Sequence, residues 1–191
     1  MLSIAALALL SACGAGQPTV VEKLDELTAV TITHSRTPLI LSPDTHLDEN
    51  IARDFVQIGP IEVNRMGTLQ YFLWLGILDT DYTEYQGEKS QEEHPQGYRT
   101  IVLSFDGEEL PFDIHGWTEN SIGVSEPVYK KLFDSATDAY YPATLEQIRL
   151  LAAAEAIQLT TSGSEPKEFV LVYRQATARD DLAEFLRTVL E

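Results

Sequence analysis

Leu69-Gln70-Tyr71-Phe72-Leu73-Trp74-Leu75-Gly76-Ile77-Leu78 is nearly continuous in apolar and aromatic residues. A strand with one wet face alternates apolar and polar side chains, whereas a strand covered on both faces does not. This stretch is therefore expected to be the central strand of the fold, its aromatic rings packed in a core rather than offered as a ligand platform. Just before it, Asn64-Arg65-Met66-Gly67 has Asn first and Gly last, as a four-residue connection between antiparallel strands would want. Upstream of that turn, Asp54-Phe55-Val56-Gln57-Ile58 and Ile61-Glu62-Val63 read as strand on either side of Gly59-Pro60.

Working outward, Asp106-Gly107-Glu108-Glu109 sits between two runs of strand character, Tyr98 to Phe105 and Leu110 to Trp117, and marks a second hairpin. Thr28 to Thr33 is rich in β-branched residues, and Pro38-Leu39-Ile40-Leu41 is a short apolar run ended by Ser42-Pro43-Asp44. A brief helical turn is expected around Val21 to Leu27, and Asp48 to Arg53 reads as helix or loop. Asp79 to His94 carries six acids against Lys89 and reads as a long exposed hairpin loop. Ser121 to Lys131 looks extended and irregular, with Pro127 confining it to an edge or loop.

The last third changes character. Thr144-Leu145-Glu146-Gln147 has the Thr-x-x-Gln form of a capping box, and Leu145, Ile148, Leu151 and Ala152 share one face of a helix over about 145–156. Ile157 to Thr161 and Glu168 to Tyr173 read as two strands joined by Ser162-Gly163-Ser164-Glu165-Pro166, and Leu182, Phe185, Leu186 and Val189 form the stripe of a closing helix. Hairpins first and helices late predict an α+β fold on a mainly antiparallel sheet. Residues 21–191 are expected to form one globular domain, because the stretch 131–143 contains Ala139-Tyr140-Tyr141-Pro142 and lacks linker composition.

The amino-terminal end has a different character. Residues 2–10 are an apolar run of signal-peptide length, too short to cross a bilayer as a helix, and Leu10-Ser11-Ala12-Cys13 follows. This tetrapeptide resembles the lipobox of bacterial lipoproteins, and in general cast the remainder resembles envelope lipoproteins of proteobacteria. The resemblance implies removal of residues 1–12 and a lipid attached to Cys13, with residues 13–20 as the lipidated cysteine and a flexible tether. It also implies a protein of the cell envelope that meets the membrane through its lipid. Gly14 stands where Asp in enteric lipoproteins favours retention at the inner membrane, which leans the expectation towards the outer membrane, facing the periplasm. No Lys or Arg precedes the apolar core, a departure from the pattern. The competing expectation is an ordinary secretory signal cut near Ala12 or Ala15, with Cys13 incidental.

The formal charge of −17 repels nucleic acid and anionic headgroups, so no nucleic-acid partner is expected. With one cysteine the chain has no internal disulfide. The hydrophobic share of 44% is that of a chain with an adequate core.

Searching the sequence for chemistry yields fragments. His34, His46, His94 and His115 are far apart, and Asp113-x-His115, whose side chains share one face of a strand, is only a two-ligand fragment of a zinc site. Asp79-x-Asp81 begins like a calcium loop, but Glu84 stands at the position that needs glycine and Ser90 where glutamate is required. Gly123-Val124-Ser125-Glu126-Pro127 lacks the second glycine of a nucleophile elbow, and no glycine-rich phosphate cradle appears, so no cofactor is expected. The first expectation for function is therefore a lipid-anchored, non-catalytic protein that binds an envelope protein partner or supports assembly. A small-molecule or lipid-binding module would need an apolar pocket behind Tyr71 to Trp74. A hydrolase without a recognisable motif would need Asp113 and His115 in a cleft beside a serine or a second acid.

Overall fold

The computed structural model describes residues 18–43, 54–80, 94–172 and 174–191. Among them run ten strands: β1 Val20–Asp25, β2 Val30–Ser35, β3 Leu39–Ser42, β4 Phe55–Arg65, β5 Thr68–Leu78, β6 Thr100–Phe105, β7 Glu108–Asp113, β8 Thr137–Ala143, β9 Ile157–Thr161 and β10 Glu168–Leu171. Two helices follow late in the chain, α1 Leu145–Ala153 and α2 Ala176–Leu190. Every strand pair is antiparallel, so the expected α+β class on an antiparallel sheet is the one observed.

The hairpin of β4 and β5 is the longest unit, paired without a break from Phe55↔Leu78 to Arg65↔Thr68. Its turn is tighter than the sequence suggested. Only Met66 and Gly67 lie outside the strands, both with positive φ (+52° and +88°), and the Asn64 side chain accepts a hydrogen bond from the Gly67 N–H at 2.9 Å. Two successive left-handed residues match the twist of the flanking strands, which a longer connection would not need. Asp106 and Gly107 (+52° and +93°) make the same turn between β6 and β7, where the sequence pointed to it.

Gly59-Pro60 does not interrupt β4. The free edge of β4 is divided, because β3 pairs with Val56 to Ile58 and β2 pairs with Ile61 to Asn64. Proline has no N–H to give a ladder, and it falls in the gap between the two partners.

The strands form a ring. Pairing runs β8-β5-β4-β3-β10-β9-β6-β7, and the segment after β7 returns to β8 through a bridge of Gly116 with Tyr140. There Tyr140 N–H donates to the Gly116 carbonyl at 2.9 Å, and His115 N–H donates to the Tyr140 carbonyl at 2.7 Å. Inward side chains meet as cross-strand pairs, such as Leu39↔Ile58, Ile58↔Leu75, Leu159↔Leu103 and Leu73↔Tyr141. Ile148 and Leu151 of α1 and Ala178, Leu182 and Phe185 of α2 belong to the same core. The capping box of α1 is present, with Thr144 and Gln147 bonding each other's backbone N–H. The helix stops at Ala153, before the expected 156, because the Asp106 carboxylate takes the N–H groups of Glu155 and Ala156.

Two expectations are corrected. The residues from Val21 on are strand β1, not a helical turn, since β1 pairs with β2 over its whole length. Residues 137–143, left without an element by the sequence, are strand β8 on the second edge of β5.

The opposite face of β2, β4, β5 and β8 is covered by a second core. Val30, Ile32, Ile61, Val63, Phe72 and Trp74 meet Ile122, Val124 and Tyr129 of the segment 117–136, which crosses the sheet as a strap. The strap opens with a 3-10 turn, Glu119–Ile122, and is otherwise the irregular loop that the sequence suggested. β5 is thus buried on both faces from Phe72 to Ile77, while its first residues, Leu69 included, are exposed, so the expected double-sided burial holds only for the second half of the run. Tyr129 stacks on Trp74 at 4.7 Å and lies against Gly59, where an added Cβ would stand 2.5 Å from the tyrosine ring. Gly59→Ala is expected to lift the strap and cost about 1–3 kcal/mol, read as a lower midpoint of urea unfolding with an unchanged slope.

Candidate functional site

The strap is held by polar contacts at both ends. Asp25, at the end of β1, accepts from the Ser125 N–H at 2.6 Å and the Ser125 hydroxyl at 2.7 Å, and also from the N–H groups of Leu27 and Thr28. The Ser125 N–H, with help from the other donors, holds this carboxyl well below the usual carboxylate range. At the other end the Gln57 side chain accepts from Leu132 N–H at 2.8 Å, and Lys131 pairs with Asp138 at 3.2 Å. Asp138 in turn accepts from the Trp74 indole at 2.8 Å. Beneath the strap the Tyr129 hydroxyl donates to the Pro60 carbonyl at 2.8 Å and meets the Ser35 hydroxyl at 2.9 Å. These bonds tie the strap to the sheet from Ser125 to Leu132, so the interface reads as structure.

The residues singled out for metals do not converge. Asp113, exposed at the end of β7, accepts from the Thr100 hydroxyl at 2.7 Å. His115 is exposed against Phe72, with ring centres 5.7 Å apart. The contacts of Asp113 and His115 are thus with Thr100 and Phe72, and the pair is not joined to a further ligand or acid in a metal-type cluster among the described residues. Asp79 is buried and shares Lys167 with Asp54, at 3.0 and 2.7 Å, while Thr80 donates twice to Asp54. Burial alone would raise the Asp54 pKa, but the bonds from Lys167 and Thr80 outweigh it and hold the group lowered. Asp79 is therefore committed to an ion pair. Asp81, the rest of the acidic loop through residue 93, and Cys13 lie outside the described residues. Among the described residues no group of three or more His, Cys, Asp and Glu stands ready for a metal. Behind Tyr71 to Trp74, Leu73 and Leu75 on one side and Phe72 and Trp74 on the other are buried in the two cores.

An open concavity lies at the ends of β6, β9 and β10, with a volume of about 590 Å³. Small-ligand clefts commonly fall between roughly 300 and 1,000 Å³. Its floor is the outward row Ser104, Gln158 and Val170, which are direct cross-strand neighbours. Three chain reversals build the rim: the β6–β7 turn at Gly107, the α1–β9 connection at Glu155 and Ala156, and the β10–α2 connection at Arg174 and Gln175. Gln175 fixes the last of these, accepting from Ile40 N–H at 2.6 Å and donating to the carbonyls of Ile40 and Val172. Arg179, in the first turn of α2, donates to the carbonyls of Ala154 and Glu155 at 2.7 and 3.0 Å. No spacing in the sequence marks these residues as a site, because they are joined by tertiary structure alone. No family model matches the chain, and no curated protein and no solved structure matches it either.

His34, on the face of β2 under the strap, sets a pH dependence. It is buried, its Nδ1 lies 2.7 Å from the Ser35 carbonyl, and its ring meets Tyr129 edge-on at 4.6 Å. Burial, with the charge of Arg36, lowers its pKa below 6.5, against the opposing pull of the Ser35 carbonyl. The unfolded chain therefore binds a proton that the native state refuses. Stability is expected to be level above the ordinary histidine pKa of 6.5 and to fall as the pH drops below it. Urea unfolding across that window, compared with His34→Gln, checks this, and the variant should lose most of the slope.

Proposed function

We propose that the chain is a lipid-anchored protein of the bacterial cell envelope with a non-catalytic binding or assembly role. The observation that carries the reading is Leu10-Ser11-Ala12-Cys13 behind its apolar run, with the strands beginning only a few residues later, at Val20. Fully extended chain covers at most about 3.6 Å per residue, so acylation of Cys13 would hold the edge strand β1 close to the bilayer surface. A cysteine carrying several acyl chains gives stable anchoring, where a single chain gives only marginal binding. No described helix is long and apolar enough to cross a membrane, so in this reading the lipid is the anchor. Gly14 leans the location towards the outer membrane, facing the periplasm.

The cleft supports binding as the role. Its lining sets guanidinium and amide donors beside apolar side chains, a combination that orients and holds a ligand. An envelope protein partner remains part of the proposal through the anchor, which confines the domain to a surface.

Metabolic labelling with a radioactive fatty acid, followed by membrane fractionation, tests the anchor. Wild type is expected to carry label and sediment with membranes, while Cys13→Ala carries none and is released by a salt wash. A Cys13→Ala protein held as firmly as wild type would overturn the proposal.

A further inference from the structure

We infer that the cleft at the ends of β6, β9 and β10 binds a small amphipathic anion, its carboxylate or phosphate head at Arg174 and Arg179 and its apolar body on Val170 and Ala156. The inference deepens the binding role proposed above and rests on it, but not on the lipid at Cys13.

The first ground is where the positive charge is left over. The chain has 13 Lys and Arg against 30 Asp and Glu. Lys23, Lys131, Lys167, Arg149 and Arg187 are all spent on carboxylates. Arg65, Arg99 and Lys130 have no carboxylate partner among the described residues either, but the cleft brings two such cations together, Arg174 and Arg179. Arg179 faces only main-chain carbonyls, which fix its guanidinium without cancelling its charge, and two of its five N–H donors are used there. Arg174 is exposed and has no hydrogen-bond or ion-pair partner among the described residues.

The second ground is conformational. Arg174 is held at φ +63°, in the left-handed region that favours glycine. Gln175 locks the adjoining backbone through its three bonds, so the strained residue cannot relax without breaking them. Ala29, Met66 and Asp106 share that region at their own turns, and what sets Arg174 apart is its place on the rim of the cleft. Guanidinium groups match carboxylate and phosphate oxygens in bidentate fashion, and Arg179, already held by the Ala154 and Glu155 carbonyls, loses little freedom on binding.

The third ground is the rest of the lining. Ser104 and Gln158 supply neutral hydrogen-bonding groups, Ala156, Val170 and Leu171 supply apolar surface, and Glu155 on the rim leaves the lining with two cations against one carboxylate. A bare inorganic anion would leave that surface wet, and a neutral apolar molecule would leave two guanidinium groups uncompensated.

Calorimetric titration of the full chain in zwitterionic nanodiscs, with empty nanodiscs as the blank, tests the inference. The probes are hexanoate, hexyl phosphate, hexylammonium, hexanol and inorganic phosphate, of which the first four share one alkyl body. One saturable site for hexanoate or hexyl phosphate is expected, and whichever is tighter identifies the head group. Hexylammonium should not bind, and hexanol and inorganic phosphate should bind at least about tenfold more weakly, given what hydrogen bonds to charged groups contribute. Arg174→Gly should weaken the anion about tenfold while leaving the melting temperature equal or higher, because glycine relieves the positive φ. Ser104→Asp keeps both arginines and should weaken the anion by placing a negative charge on the floor.

Anion binding unchanged in both variants would overturn the inference, as would hexanol binding as tightly as hexanoate. Binding of hexanol or hexylammonium without the anions would leave a binding cleft and refute its assignment to anions. The absence of any saturable heat would remove both.

Discussion

One strand has to serve three neighbours. β4 is zipped along one edge to β5, and its other edge is shared end to end by β3 and β2. Because side chains alternate along a strand, the two halves of β4 commit their apolar residues to opposite faces: Val56 and Ile58 to the inner core, Ile61 and Val63 to the outer one. The ring of eight strands grows from the first half, and the β1–β2 extension with its strap from the second. A one-residue slip in the β4–β5 hairpin would turn both sets of side chains the wrong way. The turn at Met66 and Gly67, with Asn64 clasping it, is what prevents the slip.

The Gly59-Pro60 step sits where the two halves meet and solves two problems. Proline forfeits a hydrogen bond only where a partner waits, and none does between β3 and β2. Glycine leaves room for the Tyr129 ring, and the hydroxyl of that ring donates to the carbonyl of Pro60 itself. Burial pushes the Tyr129 phenol far above its ordinary pKa, so it remains a neutral donor at any pH at which the fold persists. The strap thereby does for the outer face of the sheet what α1 and α2 do for the inner one.

What could be read from the sequence was whatever rested on local chemistry. The unbroken apolar run of β5, the Asp-Gly turn, the Thr144 capping box and the stripe of Leu182 and Phe185 each declare themselves within a few residues. β1 did not, because Glu22-Lys23-Leu24-Asp25-Glu26 is charged on an exposed edge, and only its pairing with β2 makes it strand. β8 was hidden for the opposite reason. Its Tyr140 and Tyr141 serve different cores, so the stretch shows no amphipathic alternation. The Asp113 and His115 spacing was real, but adjacency on a strand puts two groups on one face without supplying a third. The cleft left no trace in spacing at all, since Gly107, Glu155 and Arg174 come from three separate reversals of the chain.

The acidity of the chain and the arginines of the cleft act over different distances. At physiological ionic strength the field of an exposed charge fades within about 8 Å, so a small ligand inside the cleft is governed by Arg174, Arg179 and Glu155 rather than by the net −17. An extended polyanion cannot confine itself to that patch. Laid across the surface it would meet the whole excess of carboxylates, and so would an anionic bilayer pressed flat against the domain. A charge distribution of this kind would oppose an extended polyanion and still leave room for the small anion inferred for the cleft. Size, set by the rim of three connections, and sign, set by two guanidinium groups without carboxylate partners, together define what this site can hold.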